Sequence, residues 1–280
     1  MNNKKIWLIT GAGRGMGVDM VKAALNAGHA VVATGRNTDK VTTVLGASAD
    51  LLVVQLDVTK HADAESAVKA AVERFGRIDV LVNNAANFYA GYFEELTPEQ
   101  IDRQLQTSLI GPMNVTRAVL PVMRKQRSGH IISISSTAGL TSLDFCSAYS
   151  ASKFGLEGWM KAVQSEIAPF GIHTTLVNPG FFRTELLTEA STNYADHPIK
   201  DYDERRGPLM EFWISANGQQ HGDPAKLAQA LITIASEEQP PSRFLAGADA
   251  IATAEQVVAE FQQHIEAYRA LSSSLAYDNI

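Results

Sequence analysis

The residues of this 280-residue chain best suited to chemistry are Tyr149 and Lys153, four positions apart, and Ser136, thirteen positions before the tyrosine. On a helix, positions four apart lie one turn above each other on one face, so the phenol and the ammonium can share a pocket. A free tyrosine has a pKa near ~10, and a cation held beside it favours the phenolate and lowers that value by roughly 1–3 units. Tyr149 so placed is expected to exchange a proton with an alcohol or a carbonyl oxygen. Ser136, if the fold brings it alongside, can hydrogen-bond the same oxygen and hold it in line with the phenol. A tyrosine and a lysine at this spacing also occur in ordinary helices, as a core-edge ring and a solvated amine. The chemistry therefore depends on elements elsewhere that would bring these groups together.

Those elements begin near the N-terminus. Ile6 to Thr10 is a short apolar run that ends in Gly11-Ala12-Gly13-Arg14-Gly15-Met16-Gly17, and Val18 to Ala27 then carries helical spacing. The natural reading is strand, glycine turn and helix. Backbone amides at a helix N-terminus bind a pyrophosphate, and glycines let the phosphates approach the chain. The GxGxxG dinucleotide fingerprint is not met, because Met16 stands where its last glycine would fall. The pattern present is TGxxxGxG on Thr10, Gly11, Gly15 and Gly17, which taken alone also suits a flexible loop. The next apolar run, Ala30 to Thr34, ends at Gly35-Arg36-Asn37 with no acidic residue at its tip. An acid there accepts both ribose hydroxyls of NAD(H), whereas a basic residue suits the 2′-phosphate of NADP(H). Arg36, with Arg14 in the glycine turn as a second cation, makes NADP(H) the expected cofactor and NAD(H) the alternative.

Asp50 to Leu56 is a nearly continuous apolar run, expected to be a strand buried on both faces, and it ends in Asp57-Val58-Thr59. A helical pattern over Ala62 to Phe75 leads to a strand over Ile78 to Val82 and then to Asn83-Asn84-Ala85-Ala86. Pro98 to Arg127 reads as one long helix interrupted around Gly111-Pro112, with Thr97 as its N-cap. His130 to Ser135 is a strand that delivers Ser136, and the helix carrying Tyr149 and Lys153 runs to about Pro169. His173 to Val177 is a strand ending in Asn178-Pro179-Gly180-Phe181-Phe182-Arg183-Thr184. This alternation predicts an α/β fold, a doubly wound Rossmann-type parallel sheet of about seven strands with helices on both faces and a ligand crevice beyond the carboxyl ends of the strands.

One domain over 1–280 is expected, with residues 185–220 as an irregular lid over the crevice. The lid carries Tyr194, Tyr202, Phe212 and Trp213, aromatics that equally suit packing onto the core. Residues 223–280 read as a helical extension: a helix over Pro224 to Ser236, a last strand over Arg243 to Ala246 and a final helix over Glu255 to Leu271. Leu143, Phe145, Phe181 and Phe182 add apolar surface near Tyr149, which points to a hydrophobic carbonyl or alcohol substrate.

The net charge of −6 is spread along the chain without a basic stripe, which argues against nucleic acid as a partner. No apolar run approaches the ~20 residues of a membrane-spanning helix, and Ile6 to Ile9 is too short for a secretory signal. The single cysteine, Cys146, has no internal disulfide partner and fits a reducing cytoplasm. Its expected role is that of a small buried residue rather than a nucleophile. The seven histidines stand at no metal-ligand spacing with each other or with the cysteine, so no metal is expected.

In this order, the glycine motif Thr10 to Gly17, Asp57-Val58, Asn83 to Ala86, Ser136, the YxxxK of Tyr149 and Lys153, and the PGxxxT of Pro179 to Thr184 resemble the short-chain dehydrogenase/reductase family. The resemblance implies an oxidoreductase that passes a hydride between a nicotinamide cofactor and a carbonyl or secondary alcohol. It implies that Asp57 bonds the adenine, that Asn84 and Ala85 line the nicotinamide ribose, and that Thr184 holds the carboxamide. Further cofactor contacts are expected from Gly13, Met16, Val58, Pro179, Gly180 and Phe182, and Lys153 would bind the ribose while acidifying Tyr149. Dimers or tetramers are implied through helices resembling 98–127 and 147–169. Two positions depart from the family pattern. NNAG is here NNAA, with Ala86 in place of glycine, and Ser108-Leu109-Ile110-Gly111 replaces NxxG, whose asparagine supports a water in the proton relay from the lysine. Ser108 is expected to alter that relay without abolishing the reaction. A cofactor-binding regulatory protein with a silent site is the alternative from another functional class.

Overall fold

Seven parallel strands form the central sheet of the computed structural model, which describes residues 4–189 and 191–277. Residue 190 of the expected lid, and the ends of the expected 1–280 domain and 223–280 extension, lie outside the described residues. In chain order the elements are β1 (Ile6–Ile9), α1 (Met16–Asn26), β2 (Ala30–Gly35), α2 (Thr38–Leu45), β3 (Leu51–Gln55), α3 (His61–Phe75), β4 (Val80–Asn83) and β5 (Phe88–Ala90). There follow α4 (Pro98–Leu105), α5 (Gly111–Gln126), β6 (Gly129–Ile134), α6 (Ser147–Ile167), β7 (Ile172–Pro179) and β8 (Thr192–Tyr194). The last elements are α7 (Asp203–Ala216), α8 (Pro224–Ser236), β9 (Arg243–Ala246) and α9 (Ala248–Ser273). The sheet order is β3-β2-β1-β4-β6-β7-β9, an α/β Rossmann-type arrangement.

Parallel neighbours cannot be joined by tight hairpins, so helical crossovers cover both faces of the sheet. On one face Met20, Val21 and Ala24 of α1 and Leu227 and Leu231 of α8 pack against Trp7, Ile9, Val31 and Val82. On the other, Val68 of α3, Val115 and Val119 of α5, and Leu156 and Met160 of α6 pack against Leu8, Val32, Leu81 and Ile131. Successive residues of β1 thus serve opposite layers, which is why it reads as an unbroken apolar run. Each such buried aliphatic side chain contributes roughly 1.5–3 kcal/mol.

Several elements differ from expectation. The strand expected to be buried on both faces is the sheet edge, and Leu51 to Val54 are only half-buried. Between Asn37 and Gly46 lies the unexpected α2, whose only buried residue is Val41; Asn37 caps it, its Oδ1 accepting from the Lys40 amide at 2.9 Å. The break in the long helix is a five-residue π-helix over Gln106–Ile110, just before Gly111. There the Gly111 amide bonds Gln106 O, five residues back, and Pro112 has no amide to restore the regular ladder. The stretch 185–220 is not irregular throughout: it contains α7, and β8 pairs in parallel with β5. The final helix starts at Ala248 rather than Glu255. Among the described residues no helix is long and apolar enough to cross a membrane.

Candidate active site

The strand order reverses at β1 and β4, whose carboxyl ends lie side by side. In an open parallel sheet that reversal splays the following loops apart and leaves a crevice. Thr10 and Asn84 hold its two walls together: Thr10 Oγ1 accepts from the amides of Asn84 and Ala85, each at 3.0 Å, and Asn84 Nδ2 donates to Thr10 O at 2.8 Å. Two glycines have no room for a side chain. A Cβ on Gly11, whose φ is +69°, would stand 2.9 Å from Ala85 Cα, and one on Gly17 would stand 2.3 Å from Gly11 O. The bare turn and the N-terminus of α1 therefore open into a crevice of about 840 Å³.

Most of the sequence-derived cofactor residues line this crevice. Gly11, Gly13, Arg14, Gly15 and Met16 form one wall, Arg36, Asp57 and Val58 one end, and Asn84, Ala85 and Ala86 the facing wall. Tyr149, Lys153 and Thr184 close it at the other end. Pro179, Gly180 and Phe182 lie instead along an adjoining apolar pocket, to which Met16 and Thr184 also contribute. Arg36 is exposed, whereas Arg14 Nη1 donates to Ser191 Oγ at 2.5 Å and so reaches toward the 185–220 segment. Asp57 Oδ1 accepts from the Thr59 amide and hydroxyl at 3.1 and 2.8 Å. Val58 O accepts from Asn114 Nδ2 at 3.1 Å, a buttress that sequence inspection did not single out.

Ser136 follows β6, while Tyr149 and Lys153 share one face of α6, and all three meet at the crevice end. The Ser136 hydroxyl hydrogen-bonds the phenol and favours its ionised form, yet burial dominates and pushes the Tyr149 pKa up to about 12. Lys153 Nζ donates to Ile134 O at 2.9 Å and stands 5.5 Å from the centre of the tyrosine ring. Burial pulls the Lys153 pKa down to about 8, opposed by the charge of Glu157. The expectation that the cation would take Tyr149 below its ordinary value is thus overturned. One hydrogen of the amine goes to the Ile134 carbonyl rather than to the phenol, and desolvation of the buried phenolate outweighs the hydrogen bond from serine. Tyr149 is an acid-form phenol at neutral pH.

Polar groups, of which the sequence had singled out Ser108, hold this arrangement. Ser108, buried in the π-helix, donates to Asn87 Oδ1 at 2.9 Å and accepts from Gln104 Nε2 at 2.9 Å. Gln104 also reaches Ser152 Oγ at 3.3 Å, and Ser152 donates to the Tyr149 carbonyl at 2.6 Å. Ser108 is thereby connected to the backbone of the tyrosine turn. Gln104, which the sequence reading did not choose, lies one helical turn before Ser108, and that spacing was its one readable signal. On the other side Asn178 donates to Ser136 O at 3.0 Å and to Glu157 Oε1 at 2.7 Å. Arg243 of β9 then closes on Glu157 Oε2 at 2.5 Å.

Beside the phenol lies the apolar pocket, lined by Phe88, Leu143, Phe181, Phe182 and Trp213 among others. Phe88 meets Tyr149 edge-on with ring centres 5.1 Å apart, and Trp213, carried in by α7, meets Phe88 at 5.7 Å. Phe145 is buried in the same cluster. Cys146 lines the pocket too, but burial and then the charge of Asp144 push its thiol up to about 12, which leaves it inert as a nucleophile.

Residues 5–195 match the family model for short chain dehydrogenases. The chain is 34% identical over 274 residues to the oxidoreductase BOA17 of Botryotinia fuckeliana, covering 97% of this chain and 99% of that one. A short-chain dehydrogenase from Streptomyces avermitilis superposes with a TM-score of 0.88 at 34% identity, covering 98% of this chain and 100% of the other. The 3-ketoacyl-(acyl-carrier-protein) reductase from Brucella melitensis complexed with NADH superposes with a TM-score of 0.73 at 27% identity, over 87% and 96% of the two chains. A glycine-walled crevice, a half-buried serine with a buried tyrosine and lysine at its end, and similarity along almost the whole chain lead to one conclusion: this protein belongs to the short-chain dehydrogenase/reductase family of oxidoreductases.

Proposed function

We propose that this chain is an NADP(H)-dependent oxidoreductase acting on a hydrophobic ketone or secondary alcohol, with Tyr149 as its acid and base. The observation that carries the proposal is the meeting of the Ser136 hydroxyl, the Tyr149 phenol and the Lys153 amine where the dinucleotide-sized crevice joins an apolar pocket. The crevice fits a nicotinamide dinucleotide because Gly11 and Gly17 leave backbone bare at the α1 N-terminus. Asp57, Val58, Asn84, Ala85, Ala86 and Thr184 would hold the cofactor along the walls. When bound, the nicotinamide supplies or accepts the hydride.

The chain's own groups manage the proton. In reduction, Ser136 hydrogen-bonds the substrate oxygen, and Tyr149 gives that oxygen its phenolic proton, which its high pKa keeps in place at neutral pH. Lys153 offers a nearby cation against the phenolate left behind, and Ser108 takes the place of the relay asparagine. Phe88, Trp213 and Phe181 exclude water and select an apolar substrate. Such a protein is read as a single cytoplasmic domain that assembles into homo-oligomers through residues 98–127 and 147–169, with 185–220 as its lid. Replacing Tyr149 with Phe tests the assignment: cofactor binding should persist while turnover falls by about 10²–10⁴-fold. Turnover within a factor of a few of wild type would remove Tyr149 as the acid.

An NAD(H) preference is the second reading. It is favoured by the engagement of Arg14 with Ser191, which leaves Arg36 as the cation without that tie, and by the NADH held by the Brucella melitensis reductase.

A further inference from the structure

Helix α9 begins against the body of the protein and then leaves it. Ala250 is buried and Thr253, Ala254 and Val257 are half-buried on one stripe, where the helix rests on β9 and residues 137–139. From Val258 onward every described residue is exposed. The apolar stripe nevertheless continues: Val258, Phe261, Ile265 and Tyr268 are 68%, 65%, 48% and 63% exposed. Isolated helices of about 12–15 residues are marginal in water, and the hydrogen bonds Gln256–Glu260 and Gln262–Glu266 contribute only ~0.2–0.5 kcal/mol each. The stretch 258–273 has no core of its own to support it.

The spacing of the stripe identifies what covers it. Val258, Phe261, Ile265 and Tyr268 are separated by steps of three, four and three, the a and d positions of a coiled coil. That order of steps reads the same in both directions. Reversal about Gln263 places Val258 opposite Tyr268 and Phe261 opposite Ile265, so one copy of the helix complements another running the opposite way. The same reversal sets Glu255, on the flank of the seam, beside Arg269 of the partner subunit, and it matches Ile251 at one end with Leu275 at the other. We infer that α9 is an interface between two copies of this chain, paired antiparallel through Val258, Phe261, Ile265 and Tyr268 about a two-fold axis near Gln263. The interface is self-complementary, as a two-fold contact requires. The polar faces of the helix carry Asp249, Glu255, Glu260 and Glu266 against Arg269 alone, which sets the stripe against an anionic lipid surface. At 1.5 Å per residue the 26-residue helix is about 39 Å long, enough to lay one copy along most of the other. The surface is separate from the residues 98–127 and 147–169 and from the reaction site.

Light scattering of the full chain across a concentration series, with nicotinamide cofactor binding as the check on folding, tests the inference. The pair Phe261→Glu and Ile265→Glu should halve the particle mass while cofactor binding is retained; an unchanged mass overturns the proposal. Glu255→Arg and Arg269→Glu should each weaken self-association by about 5-fold or more, and the two together should restore it; a double variant as weak as the singles overturns the register. Disulfide formation by Val258→Cys with Tyr268→Cys supports the antiparallel arrangement, whereas crosslinking by Val258→Cys alone places the helices parallel and overturns it. Sedimentation of wild type with phosphatidylserine vesicles, with no self-association through α9, overturns it in favour of a membrane surface.

Discussion

Glu157 stands one helical turn beyond Lys153, and its charge works against the burial that draws the lysine pKa down to about 8. Arg243 holds that carboxylate from the last strand of the sheet, so the protonation of Lys153 depends on an element 86 residues further along the chain than Glu157. Glu157→Gln should lower the lysine pKa further below about 8 and reduce the charged fraction at neutral pH. The alkaline limb of kcat/KM should move to lower pH, whereas Arg243→Met, which removes a cation facing Glu157, should not move it in that direction. Because a hydrogen bond to a charged group is lost, the Gln variant should also lose about 1–3 kcal/mol in denaturant unfolding. A pH profile that superposes on wild type would separate Glu157 from the lysine.

Tyr149 should make the two directions of reaction differ in their pH dependence. With the phenol raised to about 12, it is protonated throughout the neutral range and ready to donate. Oxidation of an alcohol needs the deprotonated form, so its rate should climb with pH through at least 9 while reduction stays level between 6 and 8 on the order expected for a single buried acid. Equal profiles in the two directions would contradict this assignment.

Stability should carry the signature of Lys153. Its folded pKa lies below that of the unfolded chain, so the unfolded state binds more protons between about 8 and 10.5, and stability rises with pH through that window. Lys153→Met lacks this gain. Denaturant unfolding at pH 7 and pH 10 should show wild type improving relative to the variant at the higher pH.

His130 should mark the acid side. Burial lowers its pKa to about 3, and Nε2 lies 2.8 Å from Thr175 Oγ1, which itself donates to Pro241 O. The ring therefore donates from Nε2. Below pH 6.5 the unfolded chain takes up a proton that the folded chain refuses, so stability falls steadily toward pH 3. His130→Asn should unfold at lower pH than wild type, as followed by circular dichroism.

Arg36 should decide cofactor choice. It is exposed at the end of β2 and lines the crevice. Arg36→Ala should weaken NADPH at least about 10-fold, as one lost charged hydrogen bond implies, and leave NADH within about 2-fold. Equal effects on the two cofactors would favour the NAD(H) reading.

The sheet was legible because buried parallel strands are continuous apolar runs bounded by polar turns, as at Leu8 and Ile131, and the site because each motif residue sits at a strand exit or on a helix face. Burial was not legible. No spacing told that Tyr149 and Lys153 would be so deeply enclosed that desolvation would reverse the expected shift of the phenol. Long-range polar partners were equally hidden: Gln104, Asn178 and Arg243 become informative only once the fold brings them to Ser152, Ser136 and Glu157. The three-residue strand β8 escaped notice because it is stabilised by its neighbour β5 rather than by its own pattern.

That small pairing has a mechanical consequence. Backbone bonds between 88–90 and 192–194 and the ion pair of Arg206 with Glu95 tie the 185–220 segment to the Phe88 side, while Arg183 bonds Gln220 O at its other end. Phe212 and Ile214, at the far end of α7, remain in contact with solvent. Trp213, which meets Phe88 at 5.7 Å and stacks on Phe181 at 6.1 Å, thus owes its place in the pocket wall to a segment anchored by a strand of only three residues.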